Sequence, residues 1–219
     1  MLALVIGLLA AANLPGQQTP EAASRTEWPA VSYERYNFQT FGELPAAQAE
    51  IDFEAIDYPL LHAAVLYYTN RERTERGLAP LAHHSALEEA AFGHSLDMRE
   101  HGFFSHTSSV AGKRQVVDRT RRAGFTSAYV GENIAQSFGI AYEAGRGVYV
   151  PEQNGGYFSY TFQGNPIPPH TYLSAAAEVV AGWMDSRGHR ENILRPDYRY
   201  LGVGAAYFED ERFSGMPTF

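Results

Sequence analysis

Between residues 58 and 194 the apolar positions recur three and four apart in several separate runs, the spacing of helices buried on one face. In the first run Leu61, Val65 and Tyr68 form the stripe, with Leu60, Ala64 and Tyr67 beside it. Asp57-Tyr58-Pro59 opens that helix and Gly77 ends it. In the second, Leu87, Ala91, His94 and Met98 share a face. Ser85-Ala86-Leu87-Glu88 reads as a capping box, and Gly102 closes the helix. A third helix is predicted from about Lys113 to Ala123, stopping at Gly124. The fourth runs from about Thr171 to Ser186, burying Val180, Trp183 and Met184. Gly188 suits a left-handed C-cap and Pro196 prevents long continuation beyond Leu194, so His189 is expected just past a helix end.

The rest of the pattern is not helical. Gly202 to Phe208 reads as a buried strand and Glu209 to Arg212 as its turn. The return strand has barely begun at Phe219, so a closing strand cut short, with an exposed sheet edge, is expected. Gly139 to Pro169 is rich in glycine, proline and aromatics (Tyr142, Tyr149, Tyr157, Phe158, Tyr160, Phe162). A stretch of that length without period is a functional loop or a small aromatic hairpin excursion. Residues 19–57 carry Trp28, Tyr33, Tyr36, Phe38 and Phe41 without a sustained period, as a loose extension packing aromatics onto the main domain would. Leu2 to Ala12 is apolar but too short to span a bilayer. It reads as a secretory signal cleaved near Ala10-Ala11-Ala12, although the usual basic start is missing. The expected division is a leader over 1–20, an extension over 21–58 and a main domain over 59–219 with an insertion at 139–170.

Composition narrows the function. At 219 residues, 45% apolar and 19% charged, the chain can build one ordinary globular core. A net charge of -8 argues against a nucleic-acid binder. The basic run Lys113, Arg114, Arg119, Arg121 and Arg122 reads as the solvated face of a helix. With no cysteine, disulfides, thiol catalysis and cysteine-based zinc sites drop out together. No integral membrane segment is expected in the mature chain, and a monomer is.

Five short motifs follow one another in order: Asn70-x-x-Arg73 with Gly77-Leu78-x-Pro80-Leu81; Phe104-Ser105-His106; Gly131-Glu132-Asn133-Ile134; Trp183-x-x-Ser186-x-Gly188-His189-Arg190-x-Asn192-Ile193-Leu194; and Gly202-Val203-Gly204. Together they resemble the CAP superfamily of cysteine-rich secretory proteins, antigen 5 and pathogenesis-related proteins, in its bacterial branch. The resemblance implies an α+β fold, a three-layer α-β-α sandwich with a small antiparallel sheet between helical layers and a cleft on one side. In the family that cleft is lined by two histidines and two glutamates, which in some members bind zinc. Matched by motif, His106, Glu132 and His189 are the metal-site candidates, and the second glutamate position holds Ser186. Glu178 stands eight residues earlier, about 12 Å along a helix, and Asp185 points about 100° away.

Two imidazoles and one carboxylate with an open position would suit a hydrolytic Zn2+, but without an evident general base. Ser186 and His189 stand i, i+3 without an orienting acid. Ser186, Asp185 and His170 are the further cleft candidates, His170 as a replacement ligand. For each there is a plainer role. His106, His189 and Glu132 can satisfy one another as buried polar groups, His94 is a core histidine, and His83, His84 and His101 are solvated. Asn70 and Arg73 tie the first helix to the core, and Trp183 belongs to it. The aromatic insertion forms either a wall beside the cleft, the favoured placement, or its own satellite cluster. The leading expectation is an exported binding module whose cleft takes a small apolar, glycan or peptide ligand. The alternatives are a zinc-dependent hydrolase or peptidase using His106, Glu132 and His189, and a purely structural surface domain.

Overall fold

A computed structural model of the protein describes residues 3–7 and 32–219. Three short helices, α1 (Ser32–Arg35), α2 (Phe38–Gly42) and α3 (Pro45–Gln48), lead into α4 (Tyr58–Thr74). Then come β2 (Ala82–His83), α5 (Ser85–Glu100), α6 (Val116–Arg122), β3 (Val130–Ile134), α7 (Tyr172–Asp185), α8 (Arg187–Ile193) and β4 (Tyr200–Gly204). A hairpin of β5 (Phe208–Asp210) and β6 (Met216–Thr218) ends the chain, and β1 (Ala3–Gly7) begins it.

The layers are set by β4. Its Leu201 and Val203, followed by Ala205, face α4 and α7 in the main core with Trp183, Val180, Leu61 and Val65. Its glycines face α5. A Cβ on Gly204 would stand 2.0 Å from the Phe92 backbone nitrogen, and one on Gly202 2.1 Å from that of Glu88. Helix α5 therefore lies directly on the strand backbone, which accounts for the Gly-Val-Gly spacing.

The three-layer α-β-α sandwich is as expected, but the strand directions differ. The central sheet has the order β2-β4-β1-β3 and every pairing in it is parallel, whereas the antiparallel pair is the separate hairpin of β5 and β6. Strand β1 fills the middle, with Ala3 to Gly7 registered against Val130 to Ile134 on one side and Tyr200 to Gly204 on the other. It occupies part of the expected leader; the rest of 1–20, with the Ala10-Ala11-Ala12 site, and the extension up to residue 31 lie outside the described residues. Within the described extension, α2 buries Phe41 against α4 and α3 buries Ala47 against α7.

Helix α4 starts as its sequence says, with the Leu60 N–H donating to the Asp57 side chain at 3.0 Å. Gly77, Gly102 and Gly124 all take positive φ beyond helix ends. Two local expectations are corrected. Ser85 does not cap α5, whose N-cap is His84 without a side-chain bond, because Glu88 is held by two imidazoles instead of reaching back. Nor does Gly188 end α7: the chain breaks at Ser186, extended at φ -88° and ψ 123°, and Gly188 lies inside α8.

Asn70 and Arg73 do tie α4 to the core. The Leu81 N–H donates to Asn70 Oδ1 at 2.7 Å, and Asn70 Nδ2 donates to the Leu81 carbonyl at 2.9 Å. Arg73, fully buried, donates to the carbonyls of Ile193 (2.6 Å), Arg195 (3.0 Å) and Ala79 (2.9 Å). The first two are where α8 ends, so a helix C-terminus supplies the negative potential that this cation needs.

Candidate functional site

Strand β3 carries the centre of the site. Gly131 leaves room for Tyr198, whose hydroxyl would sit 2.4 Å from a Cβ there. Asn133 is fully buried, donates to the His189 carbonyl at 3.1 Å and accepts from Asn192 at 2.9 Å, locking α8 beside the strand. Between them Glu132 turns a carboxylate with only 4% side-chain exposure toward α6 and the loop after α5.

Both oxygens of that carboxylate are committed. Oε1 lies 2.9 Å from Nδ1 of His106, and Oε2 accepts from Nη2 of Arg119 at 2.6 Å. Arg119 is itself held by the carbonyls of Lys113 (2.9 Å) and His106 (3.2 Å). Its position corrects the reading of the basic run as a solvated face: Arg119 is 3% exposed. The residue pattern could not separate one buried arginine from its solvated neighbours, because the deciding partner lies thirteen positions downstream on another element.

His106 is mostly exposed, at 55% of its side chain, and Glu132 orients its ring. His189 sits in the first turn of α8, partly buried. Burial first, then the nearby His106, lowers its pKa and favours the neutral ring. The structure thus brings His106, Glu132 and His189 into one neighbourhood. Zinc held by all three does not fit this donor set, since Glu132 is spent on a guanidinium cation and on a ligand's own ring. Among the described residues no three His, Cys, Asp or Glu side chains are disposed to hold a metal ion. Ser186 is half-buried at the α7–α8 break and makes no capping bond, while Asp185 is exposed at the end of α7. His170 is engaged on α7: Nδ1 lies 2.9 Å from the Ser174 hydroxyl, and Nε2 is 3.0 Å from Glu178, close enough for an ion pair but not aligned as a hydrogen bond.

A second carboxylate–imidazole cluster was not legible in the chain. Glu88 bridges His62 Nδ1 (2.7 Å) and His83 Nε2, and His62 Nε2 accepts the Ala205 N–H at 2.9 Å. Tyr33 stacks on His83 at 3.8 Å and 4°, so His83 is not solvated as expected. Burial alone would raise the Glu88 carboxyl, but its bonds to His62 and His83 outweigh that and hold it at about 2. His94 is a core residue as expected, with Nε2 3.0 Å from the Ser105 carbonyl, and so is Trp183, whose indole donates to Ile134 at 3.3 Å.

The aromatic insertion makes its own cluster. Ile140, Phe158 and Ile167 pack with Met216 of the hairpin and with Phe53. The outer side of that cluster lines a groove of about 940 Å³ shared by residues 50–54, the insertion and the C-terminal hairpin. This groove contains none of His106, Glu132 and His189, so the expected wall beside the histidine cleft is instead one wall of a different concavity.

The family model described as the cysteine-rich secretory protein family, CAP, matches residues 66–218. The chain belongs to that family. Unlike the cysteine-rich members that gave the family its name, this CAP domain contains no cysteine. It is 34% identical over 140 residues to the Bacillus subtilis (strain 168) protein named "Uncharacterized membrane protein YlbC", covering 64% of this chain and 30% of that one. Another protein of the same organism, "Uncharacterized protein YkwD", is 31% identical over 140 residues, 64% of this chain and 40% of its own. The chain therefore spans less than half the length of the curated relatives it matches. A solved structure of an extracellular protein containing a SCP domain from Bacillus anthracis str. Ames is similar at 22% identity and a TM-score of 0.42, covering 74% of this chain and 40% of that one. No helix among the described residues is long and apolar enough to cross a membrane.

Proposed function

We propose that this CAP domain is an exported binding module, secreted or held in the cell envelope, that takes a small apolar, glycan or peptide ligand and performs no metal-dependent hydrolysis. The observation that carries it is the Glu132 carboxylate, whose two oxygens are spent on Arg119 and His106. A metal at His106 and His189 would meet the buried Arg119 cation behind its third ligand, and Ser186 supplies no charge where the family has a second glutamate. The groove under the insertion, walled by Phe53, Tyr157 and Tyr207, supplies the concave and partly aromatic surface that a binding module needs. Export is supported by the family's secretory character.

Zinc titration of the full chain by calorimetry, beside the His106→Ala/His189→Ala double variant, tests the reading. We expect no saturable heat that distinguishes the two proteins. Micromolar or tighter binding lost in the variant overturns the proposal and restores the hydrolase.

A further inference from the structure

We propose that the groove between the insertion and the C-terminal hairpin is a docking site for a basic peptide, a lysine- or arginine-rich segment of another protein. Glu50, Asp52, Glu54, Glu152, Glu209 and Glu211 all border the groove, and no lysine, arginine or histidine does. All six are exposed, and none forms an ion pair among the described residues. Elsewhere some carboxylates are paired (Glu72 with Arg76, Glu75 with Arg71, Glu143 with Arg146, Glu191 with Arg187) and others, such as Glu34 and Glu43, stand singly; the groove differs in gathering six with no cation on its lining. A concave wall carrying one sign of charge focuses its field on whatever enters. Tyr207 feels that field, its hydroxyl pushed up to about 12 by burial and then by the charge of Glu209.

The shape of the acidic set decides the class of cation. The carboxylates come from three separate segments and do not gather into a group that could hold a metal ion. They therefore match charge spread along a chain rather than a point charge. Aromatic rings lie between them: Phe53 stacks on Tyr207 with centroids 5.3 Å apart and planes at 15°, and Tyr157 and Phe158 line the insertion side. Arginine and lysine combine a cationic head for such a rim with an apolar stem for such a wall, and their heads interact favourably with ring faces. At about 940 Å³ the groove stands at the upper end of the range of small-molecule pockets, with room for several peptide residues.

The proposal rests on the binding reading of this groove but not on the histidine cleft. Zinc binding at His106 and His189 would overturn the earlier reading and leave this one standing.

The test is fluorescence anisotropy of a labelled hexalysine peptide titrated with the full chain, with hexaglutamate as the negative control. Two charge-matched double variants follow: Glu152→Lys/Glu211→Lys in the groove, and Glu34→Lys/Glu43→Lys on exposed positions of the N-terminal helices. We expect saturable, salt-sensitive binding that weakens by about tenfold or more in the groove variant and changes by less than about threefold in the other. Phe53→Ala is expected to weaken binding while leaving its salt dependence unchanged. Equal loss in both charge variants means that the net charge of -8 alone attracts the peptide, and overturns the proposal. So does absent binding. Full competition by spermine at matched charge reassigns the groove to small polyamines and overturns the peptide.

Discussion

At the scale of single residues the structure turns on carboxylates that are shared. Arg119 and Glu132 form a pair in which both side chains are almost wholly removed from water, at 2% and 4% exposure. Taking one partner from such a pair leaves a buried charge uncompensated, so Arg119→Met is expected to cost about 3–5 kcal/mol in urea unfolding. The double variant Arg119→Met/Glu132→Gln is expected to recover part of that loss. Glu132→Gln also removes the carboxylate that orients the His106 ring, whose NMR signal should then move. Glu88 gives a pH dependence of definite sign. Its carboxyl drops from the ordinary 4.5 to about 2 in the fold, so its contribution is whole above pH 4.5 and is lost as pH falls toward 2. The shift corresponds to about 3 kcal/mol. Urea midpoints measured between pH 6 and pH 2 should therefore fall more steeply for the native chain than for Glu88→Gln. The grouping of His106 with Glu132 came from the family motifs, but neither Arg119's place beside Glu132 nor the Glu88 cluster was readable in the chain, and for one reason. Residue types at fixed spacing reveal which side chains share a helix face, but Glu88 and Arg119 are defined by partners on other elements, which periodicity cannot place.

At the scale of elements, what periodicity does govern was legible. The four helices, the buried stripes of three of them, the glycine stops at Gly77, Gly102 and Gly124, and the anchoring of α4 by Asn70 and Arg73 all follow from local pattern. Two elements did not, because one signal has two physical solutions. Ser-x-x-Glu before an apolar run serves as a capping box only if the glutamate has nothing better to bind, and His62 and His83 bind it better. Likewise a short apolar run such as Leu4-Val5-Ile6 reads equally as the apolar part of a leader and as a strand buried between two others. The structure places that backbone in the sheet. The contact between α5 and β4 offers a sharp test of element packing. Gly204→Ala sets a Cβ against the backbone of Phe92, which no side-chain rotation can relieve. The helix must lift from the strand, and a loss of about 1–3 kcal/mol or more is expected. In thermal unfolding that is a fall of about 2–4 °C for each kcal/mol. Gly188→Ala, inside α8 with open space around it, should be neutral or slightly stabilising by comparison.

For the whole molecule, the decisive feature is that the insertion forms a body of its own on a continuous core. Its two ends meet: the Ala141 N–H donates to the Pro168 carbonyl and the His170 N–H to the Gly139 carbonyl, each at 2.8 Å. Its apolar residues cluster among themselves and with Met216, apart from the core around Trp183. The length and aromatic content of this stretch were visible in the chain, but not which neighbour its aromatics choose, since that depends on where the C-terminal hairpin lies. Replacing residues 142–166 by a short Gly-Ser linker should therefore leave the three layers intact. Removing Phe158 takes one buried side chain away and uncovers Ile167, which packs in the same cluster, a loss of about 3–6 kcal/mol at roughly 1.5–3 kcal/mol each. The far-UV circular dichroism should keep its helical shape and unfolding should stay cooperative. The site around Glu132 draws its hydrogen bonds from α6, α8 and the loop after α5, and none of these bonds involves the excised segment, so the His106 ring signal should be unchanged. Hexalysine binding should disappear, because one wall of the groove and Glu152 leave together. Binding that survives the excision would place the ligand outside the groove. A shortened chain that no longer folds would show that the insertion carries part of the core.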